Sequence, residues 1–360
     1  MTSAQEDERW MRAALSLARR GLGRTWPNPA VGALVVKDGV CVGQGWTQPG
    51  GRPHAETEAL GMAGSKAAGA TVYVSLEPCS HHGRTPPCTD ALIAAQVERV
   101  VVACGDPDPR VSGRGFSILR DAGVSVTEGV LYEEAMRMNR GFMKRHADGL
   151  PFVTLKVATT LDSRIATRTG ESQWITGPSA RNYGHLLRAT HDAIMVGRGT
   201  VEADDPSLTC RLPGMADRSP VRIFLDTHGK VTGPLHLLSG EGPPVWRIAK
   251  TGTPAIPGVE TIEVGLGADG QIDLEQALKI LSERGITRLL VEGGGTLAAG
   301  LIRSELVDRI EWARASSVIG GDGLPAINML GIERIADMQG YTLVESRPLG
   351  DDILSIYERA

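Results

Sequence analysis

Apolar positions Trp10, Ala13, Ala14, Leu17 and Ala18 recur at helical spacing, and Gly21 with Gly23 ends the pattern, which predicts one amphipathic helix over 6–20. Two β-branched runs follow at 30–36 and 40–45, and the Asp38-Gly39 pair between them signals a hairpin turn. Helical spacing returns at 54–61 and 89–95, while the short apolar runs 70–75 and 99–103 read as strands. One more helix and strand, at 116–122 and 124–128, precede a single helix from 133 to about 144. This alternation predicts a layered α/β domain. The polar stretch 145–151, with Gly149 and Pro151, then breaks the pattern, and the domains are expected to be 1–146 and 147–360. In the second part, strands are expected at 152–158, 193–196, 221–225, 245–248, 261–264, 288–291, 309–313 and 353–357. Helices are expected at 179–188, 274–284 and 296–303, so this domain is α/β as well. The Pro- and Gly-rich piece 240–258 reads as surface loop around one strand, and no fixed period suggests a solenoid.

Composition narrows the function. A length of 360 residues suits two domains, and the absence of any run of about 18 apolar residues argues against a membrane partner. With 38 Lys and Arg against 42 Asp and Glu the net charge is −4, without a dense basic block, so a small molecule is favoured over nucleic acid. The first ten residues are polar and acidic with no apolar core of a signal peptide, which predicts a cytoplasmic protein. Five scattered cysteines are an odd number and read as thiols or ligands rather than a disulfide framework. Cys41 and Cys104 lie in apolar runs and are expected to be small buried residues.

The chemistry concentrates between residues 54 and 88. His54-Ala55-Glu56 opens a helix, Glu77-Pro78-Cys79 follows a strand, and Cys88 precedes the next helix. One imidazole and two thiolates suit tetrahedral Zn²⁺, one per chain, with the fourth position left for water. Bound zinc lowers the pKa of water to about 7, and Glu56 stands two residues from a ligand, where it can shuttle the proton. His-x-Glu followed by Pro-Cys and a second Cys is the signature of zinc-dependent base deaminases. Here eight residues separate Cys79 from Cys88 where the general pattern has two, and this loop carries His81, His82 and Arg84. A structural zinc with His81 or His82 as fourth ligand is the competing reading, and metal removal would then unfold the domain. A nucleic-acid-editing deaminase fits the motif too, but the charge and an aromatic content of 4% give no stacking or phosphate-tracking surface.

Together with Pro27-Asn28-Pro29-Ala30-Val31-Gly32, the long cysteine loop LEPCSHHGRTPPC resembles the bacterial bifunctional riboflavin-biosynthesis deaminase-reductases. The likeness extends through Leu161-Asp162, Gly170-Glu171-Ser172-Gln173-Trp174, Ala203-Asp204-Asp205-Pro206 and Val291-Glu292-Gly293-Gly294-Gly295. The resemblance implies a cytidine-deaminase-like three-layer α/β domain followed by a dihydrofolate-reductase-like domain. It implies hydrolytic removal of the C2 amino group of 2,5-diamino-6-ribosylamino-4(3H)-pyrimidinone 5′-phosphate, then NADPH-dependent reduction of the ribosyl to a ribityl chain. A homo-oligomer is also expected.

On that basis His54, Cys79 and Cys88 would hold zinc, Glu56 would be catalytic, and Asn28, His81 and Arg84 would meet the substrate. In the reductase, Ala158, Trp174, Thr200, Asp204 and Thr227 would contact NADPH, as would Gly294, Gly295, Thr296, Leu297 and Gly300 in the turn after a strand. Lys156, Ser172 and Arg188 would contact the substrate, with Leu208, Arg211 and Glu292; Arg188 and Arg211 suit a phosphate through bidentate bonding. The turn 293–295 is not a Gly-x-Gly-x-x-Gly fingerprint, so a Rossmann domain is not expected. Three departures stand out. Thr47 replaces a usual His, Ser163 a usual Gly, and Ser316-Ser317 a usual Pro-Lys.

Overall fold

A computed structural model describes residues 3–83, 86–240 and 242–360, and the chain divides into two compact units, Met1–Gly149 and Leu150–Ala360. In the first unit the order is α1 (Ser3–Ala18), β1 (Gly32–Lys37), β2 (Val40–Trp46), α2 (Ala55–Ala63), β3 (Thr71–Val74) and α3 (Cys88–Ala94). It continues with β4 (Arg99–Val102), α4 (Arg114–Asp121), β5 (Ser125–Thr127), α5 (Tyr132–Met138) and α6 (Arg140–Asp148). The five-stranded sheet runs β2-β1-β3-β4-β5, antiparallel across β1 and parallel from β3 to β5.

Glycines let two helices approach this sheet closely, and they do so from opposite faces. A Cβ on Gly32 would stand 2.0 Å from the Ala14 carbonyl oxygen of α1, whereas Cβ atoms on Gly43 and Gly45 would stand 2.2 and 2.3 Å from carbonyls of α2. Gly45 is registered opposite Ala33 and Gly43 opposite Val35, so both point away from the Gly32 side. The unit is therefore three-layered. The same close contact seats the start of α2, where His54 is the cap residue, on the sheet.

Two expectations fail here. The single helix over 133–144 is two helices, because Asn139 leaves helical geometry to donate to and accept from the Ala30 backbone, both at 3.0 Å, deep in the unit. Cys41 is exposed rather than buried: β2 carries a bulge opposite Val35 and Val36 that skips Val42 and turns Cys41 outward. Cys104 is buried as expected.

The second unit contains β6 (Phe152–Thr159), β7 (Arg164–Ala166), α7 (Pro178–Ala189), β8 (Ala193–Gly197), α8 (Arg198–Asp204), β9 (Val221–Leu225), β10 (Val245–Lys250) and β11 (Glu260–Val264). After these come α9 (Leu274–Glu283), β12 (Arg288–Glu292), α10 (Gly295–Arg303), β13 (Arg309–Arg314), β14 (Leu324–Pro325), β15 (Tyr341–Leu349) and β16 (Asp352–Arg359). Its nine-stranded sheet runs β11-β10-β9-β8-β12-β6-β13-β16-β15, parallel up to β13 and antiparallel beyond. Strand β15 and helix α8 were not expected. The side chains of β15 are mostly exposed, so it lacks the buried alternate positions that mark a strand in sequence. Because β8 lies between β9 and β12, the chain leaves the sheet centre in one direction and returns beside it. The crevice at the carboxyl ends of β8 and β12 is the place where such sheets bind ligands.

Candidate active sites

In the first unit, α2 and α3 begin at residues 55 and 88, and the loop after β3 carries Cys79 between them. This brings His54 Nδ1 to 3.3 Å from Cys88 Sγ and 3.6 Å from Cys79 Sγ, and all three ligand atoms lie within 4.8 Å of one another. Those separations, and the donor set of one imidazole and two sulfurs, fit a tetrahedral zinc ion. The hydrogen bond from Cys88 and the neighbouring His54 hold the Cys79 thiol down at about 4, whereas the bond to Cys79 and burial push Cys88 up. The Cys88 backbone N–H also donates to Cys79 Sγ at 3.3 Å, as helix starts do for thiolates.

Glu56, on the first turn of α2, is buried beside Cys88, and burial with the nearby Cys79 charge holds its carboxyl up at about 7 despite His54. Such a group can take and return a proton near neutrality. His81 is half-buried, and its Nδ1, like Ser80 Oγ, is buried without a hydrogen-bond partner among the described residues. A bound ligand would satisfy these two atoms. Asn28 lies against Gly51, whose φ is +84° and where a Cβ would fall 1.8 Å from Asn28 Nδ2, so the glycine makes room for the amide. Arg84 lies outside the described residues, and His82 is exposed. Thr47 is buried and its hydroxyl accepts from the Val31 backbone N–H at 3.0 Å, which makes it a structural post.

The second unit opens a crevice of about 1760 Å³ at the carboxyl ends of its parallel strands. This exceeds a usual single small-molecule pocket of about 300–1000 Å³ and leaves room for two ligands. It gathers every residue expected from the reductase resemblance. Ala158, Trp174, Thr200, Asp204 and Thr227 line it with Gly294, Gly295, Thr296, Leu297 and Gly300. Lys156, Ser172, Arg188, Leu208, Arg211 and Glu292 line it too. Gly293 and Gly294 have φ of +81° and +73°, and Cβ atoms there would come within 2.9 and 3.4 Å of Thr200 Oγ1. The turn is thus a bare-backbone cradle leading into α10, suited to a phosphate group. Trp174 is 66% exposed in the crevice, not core, with the Arg181 guanidinium 4.7 Å from its ring centre.

One substrate-side expectation changes in detail. Arg188 does not present a free fork: Nε and Nη2 each donate to Glu292 at 2.8 Å, and Nη1 donates to the Thr209 carbonyl at 3.0 Å. Burial alone would raise the Glu292 carboxyl, yet Arg188, helped by Lys156 and His185, holds it at about 2. Glu292 is therefore an anion and not a proton donor. Lys156 on β6 is registered directly with Glu292 on β12. His185, which sequence reasoning missed, lines the crevice on the same helix as Arg188, and the Arg211 backbone N–H donates to its Nδ1 at 3.3 Å. Its three-residue spacing from Arg188 was the available signal. Ser172 Oγ donates to Asp204 at 3.0 Å, tying the Trp174 loop to the end of α8.

Comparison with known proteins covers both units. The model of the cytidine and deoxycytidylate deaminase zinc-binding region matches residues 4–104, and that of the RibD C-terminal domain matches 151–355. The riboflavin biosynthesis protein RibD of Escherichia coli K12 is 44% identical over 361 residues, covering 97% of this chain and 98% of that protein. Its counterpart from Aquifex aeolicus is 42% identical, with 98% of each covered. A solved Acinetobacter baumannii RibD superposes with a TM-score of 0.90 at 37% identity, covering 99% of this chain and 100% of that one. A Thermotoga maritima structure, described as a diaminohydroxyphosphoribosylaminopyrimidine deaminase and 5-amino-6-(5-phosphoribosylamino)uracil reductase, gives 0.90 at 35%, with 99% of each covered. A zinc-binding deaminase domain and a dihydrofolate-reductase-like domain thus follow one another here, and the chain belongs to the RibD family of riboflavin-biosynthesis deaminase-reductases.

Proposed function

We propose that residues 1–146 hydrolytically deaminate 2,5-diamino-6-ribosylamino-4(3H)-pyrimidinone 5′-phosphate and that residues 147–360 then reduce its ribosyl to a ribityl chain with NADPH. The observation that carries this reading is the convergence of His54, Cys79 and Cys88 beside the buried carboxyl of Glu56. His54, Cys79 and Cys88 would hold the zinc ion, which when bound supplies the Lewis acidity that makes water nucleophilic at neutral pH. Glu56 takes the proton from the attacking water and delivers it to the departing ammonia, as the C2–N bond breaks. Asn28 would hold the pyrimidine, and His81 and Arg84 would meet the phosphate.

In the reductase, bound NADPH would supply a hydride to C1′, and the bond from C1′ to the ring oxygen breaks as that oxygen takes up a proton to become a hydroxyl. The backbone of Gly294, Gly295 and Thr296 would hold its pyrophosphate, and Trp174 would flank the nicotinamide. Lys156 would polarise the ring oxygen as its bond to C1′ breaks, Glu292 would anchor the sugar, and Arg211 would receive the phosphate. A preference for NADPH over NADH rests on the family resemblance. A cytoplasmic setting suits five cysteines of which none is paired in a disulfide. The homo-oligomer is best placed on the outer strand: among the described residues, more than half of the large apolar side chains that are exposed lie between 318 and 353, on β15 and beside it. An unpaired edge with Leu343 and Val344 about half exposed fits a second copy.

The test is Glu56→Gln, with each half-reaction assayed separately. The variant should keep one zinc per chain, lose deamination by about 10²- to 10⁴-fold, and reduce the deaminated substrate at the normal rate. Equal loss of both activities, or of neither, would refute the division of labour.

A further inference from the structure

We infer that Glu77 is a positioning residue of the deaminase, whose buried carboxylate fixes the 105–115 segment as one wall of the pyrimidine site. This rests on the deaminase reading above. Glu77 is 3% exposed and stands two residues before the ligand Cys79. Its Oε1 accepts from the Gly115 backbone N–H at 3.0 Å, and its Oε2 accepts from Gly113 at 3.1 Å and Asp106 at 3.3 Å. Three amides of one segment thus converge on one side chain.

Steric fit supports the same attachment. A Cβ on Gly115 would lie 2.4 Å from the Pro78 carbonyl oxygen and 3.0 Å from Glu77 Oε1, so the start of α4 is pressed against the residues that lead into Cys79. The segment between β4 and α4 is turns and bends with no strand or helix of its own, so such cross-links set its position. Its first carboxyl, Asp106, lies within electrostatic reach of Cys79, with burial and the Asp108, Glu77 and Cys79 charges holding it up at about 6. The contact of Gly115 with the Pro78 carbonyl, one residue before the ligand Cys79, sets this wall beside the metal centre.

Glu77→Gln preserves volume but turns one acceptor into a donor facing backbone N–H groups. Gly115→Ala pries the segment off Pro78 and Glu77 by steric contact while the carboxylate itself is kept. Both variants should raise the deaminase KM about tenfold or more, as expected for losing charge-assisted bonds, while kcat stays within about threefold. Zinc content should remain one per chain and the reductase rate unchanged, and hydrogen exchange at the amides of 106, 113 and 115 should accelerate. Wild-type deamination is the control that separates failure of this inference from failure of the deaminase reading. With that control active, an unchanged KM in Gly115→Ala would overturn the proposal even if Glu77→Gln did not fold. Zinc loss with a parallel fall in kcat would also overturn it, since Glu77 would then be serving the metal.

Discussion

Replacing Arg188 by Met tests the electrostatic design of the reductase crevice. The Arg188 and Glu292 side chains are only 14% and 12% exposed and share two hydrogen bonds of 2.8 Å. Removing the guanidinium leaves a carboxylate in a site that penalises its charge, with Lys156 and His185 as the remaining favourable neighbours. The fall of the Glu292 carboxyl from 4.5 to about 2 corresponds to about 3 kcal/mol in favour of the ionised form. Breaking a buried pair costs about 3–5 kcal/mol by independent reasoning, so the two scales agree. The unit Leu150–Ala360 should thus melt about 6–12 °C lower in Arg188→Met, at about 2–4 °C per kcal/mol for a domain of this size.

Calorimetry, with hydrogen exchange assigning the transition to the second unit, reads this directly. The folded pKa of Glu292 is below its unfolded value, so the pair contributes fully above pH 4.5, and that contribution is lost as pH falls from 4.5 through about 2. The variant should lack this acid limb. The double variant Arg188→Met, Glu292→Leu should recover most of the loss, because neither charge then needs a partner. A single-variant cost under about 1 kcal/mol, or a double variant no better than the single, would refute the reasoning.

Three further outcomes are expected. Ser163 occupies φ +64°, a backbone region that favours glycine, so Ser163→Gly should raise stability by about 0.5–1 kcal/mol, read as an increase of about 2 °C in calorimetry. His191 is fully buried, and burial, with Arg288 adding, depresses its pKa from 6.5 to about 3. It is neutral in the fold while the unfolded chain takes up a proton below pH 6.5, so stability is full above 6.5 and declines as pH drops from there toward 3. By pH 5 this costs about 2 kcal/mol, and urea titrations at pH 7 and 5 should show the difference in wild type and not in His191→Gln. Cys41 is the exposed thiol, so zinc-loaded protein should show one fast reaction with a thiol reagent, abolished by Cys41→Ser; fast reaction at Cys104 or Cys210 would contradict the packing.

Most strands and helices were readable because each buries a face at its own period, 3.6 for α1 and α7 or a continuous run for β8, β9 and β12. The failures share one cause, which is a local feature answering to a distant partner. Asn139 breaks a helical pattern to satisfy Ala30, and the bulge that exposes Cys41 exists only in register with β1. Strand β15 pairs with β16 while exposing its side chains, so nothing in its own pattern announced it.

The two candidate sites differed in legibility for a related reason. A metal needs its donors within a few ångströms, and this chain supplies them at two helix starts and one loop inside 35 residues, each with a local signal. The reductase crevice instead takes one or two side chains from the end of each of several strands. Lys156 and Glu292 are 136 residues apart and adjacent only because β6 and β12 pair in that register. Neither strand's apolar run contains the information that selects its neighbour. Only a family pattern that already encodes the pairing could bring these residues together from sequence, and even that pattern left hidden that Arg188 faces Glu292 instead of an open phosphate site.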